Sequence, residues 1–202
     1  MKNVTLEING KQVVAEEGNT LLEAARKAGL EIPTLCSAGQ VKPSGACRMC
    51  MVEVTKGTRK RLVASCIYQV EQGLEVATET EKLTKIRRLI LELLWPTSEG
   101  LARRFGLTGS RFEPELFDCN LCGLCVRTCT EVTKKNVAHF QGRGINRRVA
   151  LVPGLEDECA SCRQCFDLCR GGFIVTSSAE SARIPWRGLR PPPSAYHGDE
   201  PH

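Results

Sequence analysis

The chain has 202 residues, a formal net charge of +5, an aromatic content of 5%, twelve cysteines and three histidines. This length allows one or two small domains, and so few aromatic residues give a thin core that metal ligation could reinforce. The basic pairs are scattered without interleaved aromatic residues. We therefore expect a solvated surface, or one that docks an acidic partner, rather than nucleic-acid binding.

The N-terminal sequence MKNVTLEINGKQVV lacks the apolar core of a signal peptide. The longest apolar stretch, Leu89 to Trp95, contains Glu92 and is too short to span a bilayer. We therefore expect no direct membrane span and a cytoplasmic location. In that reducing compartment, cysteines are metal ligands more often than disulfide partners.

Residues 1–79 predict a small β-grasp-like α+β domain. Asn9-Gly10 between two short apolar runs is a strong hairpin signal. Thr20 and Glu23 have the spacing of a capping box before the helical sequence LLEAARKAGL. Strands are predicted at 3–8, 11–15, 50–55, 61–65 and 74–77.

Residues 80–115 predict a linker helix over 80–95, followed by a connector. Residues 116–175 contain two cysteine runs forty residues apart, which predicts a compact module with a short helix after each ligand loop. Residues 176–202 are rich in Pro, Ser and Arg and predict an extended or disordered tail, or an arm that orders on a partner. The apolar stripe of the linker helix is predicted to contain Leu83, Ile86, Ile90 and Leu94.

The first cysteine group has the spacing C-x10-C-x2-C-x15-C and consists of Cys36, Cys47, Cys50 and Cys66. Three ligands on one loop and a distant fourth are typical of a plant-type [2Fe–2S] site. Gly39, Gly45 and Ala46 are small, so we expect backbone N–H groups of this loop to approach the cluster sulfurs and favour the reduced state.

Two further groups share the spacing C-x2-C-x2-C-x3-C: Cys119, Cys122, Cys125 and Cys129, then Cys159, Cys162, Cys165 and Cys169. Structural zinc sites use separated C-x2-C pairs or mix cysteine with histidine. Four cysteines within eleven residues instead favour [4Fe–4S] clusters. Zinc remains the alternative.

The twin runs have the pattern of a two-cluster ferredoxin module, in which the fourth cysteine of each run binds the other cluster. That arrangement predicts one [4Fe–4S] site made of Cys119, Cys122, Cys125 and Cys169, and a second made of Cys159, Cys162, Cys165 and Cys129. A proline usually follows the fourth cysteine, whereas Thr130 and Arg170 stand there in this chain.

The sequence contains no G-x-G-x-x-G after a strand and no phosphate-binding loop, so we expect no nucleotide or flavin site and no catalytic residue. His139 lies between the cluster runs without ligand spacing around it and is predicted to be an ordinary polar residue.

These motifs resemble a known family over residues 1–175. The run LCSAGQVKPSGACRMCMVEV, then ASCIYQVEQGLEVATET, RRLILELL and LARRFGLTGSRF, leads into DCNLCGLCVRTC. It is similar to the N-terminal part of the large (75 kDa-type) iron–sulfur subunit of respiratory complex I and to the small diaphorase subunit of NAD-linked hydrogenases and formate dehydrogenases. The resemblance implies an N-terminal β-grasp plant-type [2Fe–2S] ferredoxin domain, a linker helix and a bacterial-type two-[4Fe–4S] module.

One departure from that family concerns a further cluster bound by one histidine and three cysteines. Residues 67–118 contain neither residue type. The resemblance therefore implies three clusters rather than four.

From the three ligand sets we expect an electron-transfer subunit of a multi-subunit NAD(P)-linked oxidoreductase, itself without catalysis. The expected partners are a flavin- and NADH-binding subunit and a further redox subunit, which would be a hydrogenase, a formate dehydrogenase or a second flavoprotein; ferredoxin is a further possibility. A free-standing ferredoxin-like carrier and a zinc-stabilised interaction module are the alternatives.

Overall fold

The computed structural model describes residues 2–95, 97–112 and 119–174. The strands are β1 (Asn3–Ile8), β2 (Lys11–Glu16), β3 (Met51–Lys56), β4 (Arg59–Ala64), β5 (Glu75–Ala77), β6 (Ala138–Gln141) and β7 (Arg148–Leu151). The α-helices are α1 (Leu21–Lys27), α2 (Glu81–Leu93), α3 (Glu99–Arg104), α4 (Leu124–Arg127) and α5 (Glu156–Cys162). A π-helix covers Thr128–Val132, and 3₁₀ turns cover Gly144–Asn146 and Phe166–Leu168.

The first five strands form one mixed sheet in the order β2-β1-β5-β3-β4, with β1 and β5 parallel and the other neighbours antiparallel. Asn9 and Gly10 both have positive φ (52° and 80°), which is the backbone conformation of a tight two-residue hairpin between β1 and β2. Alternate residues of β1 point into the core, so Leu6 and Ile8 are buried. The predicted hairpin is thus present.

Helix α1 packs against this sheet and begins with the predicted capping box. The Thr20 hydroxyl accepts a hydrogen bond from the Glu23 N–H at 3.2 Å, and the Glu23 carboxylate accepts one from the Thr20 N–H at 2.7 Å. Both bonds satisfy amide groups that have no partner inside the helix. The core between α1 and the sheet contains Leu21, Ile8 and Val52.

Helix α2 buries a face that overlaps the predicted stripe but also contains two charged residues. Its buried residues are Leu83, Arg87, Leu91 and Glu92. Ile86, Ile90 and Leu94 are half-buried, and Ile90 and Leu94 pack against the core that contains Leu35 and Met49, so the predicted stripe is confirmed in part. The polar residues are buried because Arg87 and Glu92 find hydrogen-bond partners on that face.

A second core fixes the cysteine loop of the first domain. Leu35 and Met49 of that loop pack with Leu91 of α2, Ala102 of α3 and Leu107. The loop is therefore held by the linker helices as well as by its own sheet.

The C-terminal part has a two-stranded antiparallel sheet, β6-β7, between the two cysteine runs. The first run leads into α4 and the π-helix that contains Cys129, as predicted. In the second run, α5 instead contains Cys159 and Cys162, so the predicted order of loop and then helix was wrong there. Gly123 and Arg163 both have positive φ (70° and 54°) at equivalent positions of the two runs.

Within the described residues, no helix has both the length and the apolar character needed to cross a membrane. The predicted tail, residues 176–202, lies outside the described residues, as do Pro96 and residues 113–118.

Candidate metal centres

The first cysteine group converges beside the sheet, at the end of β3 and β4. Cys36, Cys50 and Cys66 are each 1% exposed, and Cys47 is half-buried. The four thiols form two hydrogen-bonded pairs, Cys36 with Cys47 and Cys50 with Cys66, and the charge on Cys36 also acts on the second pair. The structure therefore brings all four predicted residues of this group together.

Each pair holds one thiol that ionises readily. A hydrogen bond from the Cys47 thiol lowers the pKa of Cys36 to about 5, although burial opposes this. A hydrogen bond from the Cys66 thiol lowers the pKa of Cys50 to about 6, again against burial. The pKa values of Cys47 and Cys66 are raised, first by donating to those neighbours and then by burial. Metal binding uses thiolates, and the hydrogen bond within each pair therefore favours the form of Cys36 and Cys50 that binds metal.

Backbone N–H groups surround these sulfurs. The Cys47 N–H donates to Cys36 Sγ at 3.5 Å, and the Ser44 hydroxyl donates to the same sulfur at 3.7 Å. The N–H groups of Ala46 and Gly45 also lower the pKa values of thiols in this set, in keeping with the predicted close approach. An added Cβ at Gly39 would meet nothing within 4 Å, and the approach of its N–H group to a cluster sulfur stays a prediction.

The side chain of Arg87 anchors the segment around Cys50. Arg87 is 2% exposed, and its guanidinium donates to the carbonyls of Met49 (3.2 Å), Met51 (2.8 Å) and Thr78 (2.8 Å). Burial lowers the pKa of Arg87. Because Met49 and Met51 flank Cys50, Arg87 fixes the backbone on both sides of that cysteine.

The cysteines of the twin runs surround two cavities. Each cavity has a volume of about 310–330 Å³ when space open to solvent is counted. The first cavity is lined by four cysteines that come from both runs. These are Cys119, Cys122, Cys125 and Cys169. The second cavity is lined by Cys129, Cys159, Cys162 and Cys165. In each cavity, three cysteines come from one run and the fourth comes from the other.

Among the described residues, no group of three or more cysteine, histidine or carboxylate side chains has the geometry to hold a single metal ion. No disulfide bond joins any of the twelve cysteines.

Each cavity also contains a buried donor without a partner. Asn120 Nδ2 lies at the first cavity and Thr128 Oγ1 at the second, and neither has a hydrogen-bond partner within the described part of the chain. Buried donors are nearly always paired. The sulfur atoms of an iron–sulfur cluster are hydrogen-bond acceptors, so a cluster fits the chemistry of both cavities.

The thiols that line these two cavities lie in buried, apolar surroundings. Burial raises the pKa of Cys159 to about 11 and that of Cys165 to about 12, and the neighbouring cysteines add to the effect. Burial likewise raises the pKa of Cys125 and Cys122. The sulfur of Cys129 accepts hydrogen bonds from the N–H groups of Val137 (3.1 Å) and Ala138 (3.5 Å).

The first group and the first cavity are neighbours. Burial is the main cause of the raised pKa of Cys122, and the charge of Cys36 is a smaller contribution. Arg127 donates hydrogen bonds to the backbone carbonyls of both cysteines.

Comparison with known proteins places this geometry in a family. Residues 1–81 match the family described as a 2Fe-2S iron–sulfur cluster binding domain. The NADPH-Fe(3+) oxidoreductase subunit alpha of Geobacter sulfurreducens is 29% identical over 91% of this chain and 25% of its own length. The mitochondrial 78 kDa subunit of NADH-ubiquinone oxidoreductase from Candida albicans is 34% identical over 92% of this chain and 30% of its own length. The chain thus spans only a quarter to a third of these relatives.

One solved structure decides the family. A chain of the NAD+-reducing [NiFe]-hydrogenase in the H2-reduced state superposes with a TM-score of 0.67 at 30% identity, over 75% of this chain and 76% of that one. Our chain belongs to the same iron–sulfur subunit family as that hydrogenase chain. Membership confirms the resemblance predicted from the sequence, and it disfavours the zinc-stabilised module. The [2Fe–2S] domain is established by the family match; the assignment of individual cysteines to clusters stays a prediction.

Several residues at these sites were missed by the sequence reasoning: Ser44, Arg87, Asn120, Arg127 and Thr128. Asn120 and Thr128 are adjacent to cysteines, and Arg127 lies inside a cysteine run, which is a usable signal. Arg87 has no such signal, because it reaches its carbonyl partners across 36 and 38 residues of sequence on one side.

Proposed function

We propose that this protein is an electron-transfer subunit of an NAD(P)-linked oxidoreductase complex and binds one [2Fe–2S] and two [4Fe–4S] clusters. The observation that carries the proposal is the pair of cavities next to a [2Fe–2S] domain, each lined by four cysteines and by one buried donor that has no partner among the described residues. Iron–sulfur clusters supply reversible one-electron transfer when bound.

We assign the ligands by site. The [2Fe–2S] cluster is bound by Cys36, Cys47, Cys50 and Cys66. The first [4Fe–4S] cluster is bound by Cys119, Cys122, Cys125 and Cys169, and the second by Cys159, Cys162, Cys165 and Cys129. The domain organisation that follows is a [2Fe–2S] domain over 1–79, a helix and connector over 80–115, and a two-cluster module over 116–175.

The chain's own residues bind the clusters, exclude water and donate hydrogen bonds. The buried thiols of the first group accept N–H bonds from Cys47 and its neighbours, which stabilises negative charge on sulfur. At the second cavity, the N–H groups of Val137 and Ala138 do the same for Cys129. Such bonds favour the reduced state of a bound cluster and so raise its potential.

The names of the relatives describe subunits of NAD(P)-linked oxidoreductases and a hydrogenase, which supports redox subunits as partners. We propose that a flavin- and NADH-binding subunit and a further redox subunit, of the hydrogenase, formate dehydrogenase or second flavoprotein kind, exchange electrons with this chain. A reducing cytoplasm suits twelve cysteines without a disulfide. A free-standing carrier is the alternative, and it predicts that the protein purifies without stoichiometric flavoprotein subunits.

The test is anaerobic purification followed by iron, acid-labile sulfide and zinc analysis and by EPR of the reduced protein. We expect about ten iron atoms per chain, from 2 + 4 + 4, with one [2Fe–2S] signal and two interacting [4Fe–4S] signals. Zinc without sulfide would refute the proposal. Iron for the [2Fe–2S] site alone would refute the two-cluster module and leave the domain assignment intact.

A further inference from the structure

The side chain of Arg127 connects two candidate sites that are distant in sequence. Its Nη1 donates to the carbonyl of Lys42 at 2.6 Å across 85 residues. Its Nη2 donates to the carbonyl of Cys36 across 91 residues and to that of Cys122 at 3.3 Å. One guanidinium nitrogen is thus shared by the backbones of two cysteines that are assigned to different clusters.

Two more contacts hold the same loop. The Glu131 carboxylate accepts a hydrogen bond from the Lys42 N–H at 2.7 Å. Arg170, which follows Cys169, donates to the carbonyl of Thr34 at 3.3 Å. The contacts therefore lie on both sides of Cys36 and come from both cysteine runs of the module.

An arginine is suited to this place. The planar guanidinium presents several N–H donors in a fixed geometry, so one side chain can serve three carbonyls at once, whereas a lysine ammonium is a point charge on a flexible stem. Hydrogen bonds from a charged donor are also stronger than neutral ones.

We propose that Arg127 is a positioning residue that holds the Cys36 loop against the first cavity, so that the [2Fe–2S] site and the first [4Fe–4S] site exchange electrons directly. This inference rests on the proposed function and gives a route that needs no histidine-ligated cluster between the two sites. One electron leaves one cluster and enters the other; no bond forms or breaks and no proton is transferred.

The experiment compares the intact holoprotein with R127M, R127K and the control R148M. Arg148 carries the same charge in the same module and contacts Gln141 of its own hairpin. Power saturation of the reduced [2Fe–2S] EPR signal reports the distance between the sites, because a reduced [4Fe–4S] cluster nearby speeds the relaxation of that signal. Iron and sulfide content are measured on the same samples.

Loss of hydrogen bonds to a charged group should shift the equilibrium between the docked and undocked loop at least about tenfold. We therefore expect R127M to saturate at several-fold lower microwave power than wild type. R127K should lie between the two, and R148M should match wild type.

Wild-type saturation in R127M with full iron content would overturn the role of Arg127 and leave the proposed function standing. Absence of iron–sulfur signals in the wild-type protein would overturn both. If R127M does not retain its clusters, R127K decides, since wild-type saturation there would contradict the need for three carbonyl contacts.

Discussion

Thr128 offers a direct test of whether the second cavity holds a cluster that accepts hydrogen bonds. Its hydroxyl is buried, with the residue 1% exposed, and lines this cavity without a partner among the described residues. Replacement by valine keeps the branched shape and removes the donor. Thr133 provides a matched control, because it lines the same cavity but its hydroxyl already donates to the Cys129 carbonyl at 3.0 Å.

The magnitude follows from the energy of one hydrogen bond. A net contribution of about 1 kcal/mol is equivalent to roughly 40 mV for a one-electron couple, since 59 mV corresponds to a tenfold change in the equilibrium constant. Only the difference between the oxidised and reduced states counts, so roughly 40 mV is a ceiling. Removing a donor disfavours the more negative, reduced cluster, so T128V should lower the midpoint potential.

The assay is an EPR-monitored redox titration of wild type, T128V and T133V. We expect a lower midpoint for the second [4Fe–4S] cluster in T128V, with the first [4Fe–4S] and the [2Fe–2S] midpoints unchanged. T133V should match wild type. Equal shifts in T128V and T133V, or no shift in T128V, would refute the assignment of the Thr128 hydroxyl to the cluster.

Three further predictions concern ligation and stability. C47S should abolish the [2Fe–2S] EPR signal and leave both [4Fe–4S] signals; an unchanged spectrum would remove Cys47 as a ligand. R87M should lower the free energy of unfolding of the holoprotein by about 3 kcal/mol, because three carbonyls lose their donor. The control R88M removes an exposed charge of the same helix and should have little effect in the same thermal scan. Equal losses would contradict the anchoring role of Arg87. Burial raises the pKa of Cys159 to about 11 and that of Cys165 to about 12. Because cluster binding needs thiolates, reconstitution with iron and sulfide should be faster at pH 8.5 than at pH 7. A reconstitution rate that does not depend on pH would count against buried thiols.

Local signals predicted the first domain well. Asn9-Gly10 gave the hairpin and Thr20 with Glu23 gave the helix start, because each effect acts within four residues. The buried face of α2 was predicted only in part, because apolar periodicity assumes that a helix buries only apolar residues. In the structure, buried Arg87 makes hydrogen bonds to the carbonyls of Met49 and Met51, which are distant in sequence.

The cysteine positions were identified from spacing, and their grouping came from the known arrangement of paired runs. The polar residues around them were not predictable in the same way. Arg127 binds backbone carbonyls, which every residue possesses, so its partners at Cys36 and Lys42 carry no side-chain signature. Thr128 is marked in the sequence only by its position next to Cys129, which does not show that its hydroxyl is buried without a partner among the described residues.

The exchange of Cys129 and Cys169 between the two cavities also governs how the module can be divided. A fragment that ends anywhere in residues 130–158 keeps three cysteines of the first cavity and the single cysteine that lines the second. Neither half can complete a four-cysteine wall by itself. Two separately produced halves should therefore acquire the iron of the two [4Fe–4S] sites only after they have been mixed, whereas the [2Fe–2S] site of the N-terminal half should fill without mixing. A chain broken between β6 and β7 should remain one particle for as long as its [4Fe–4S] clusters are present.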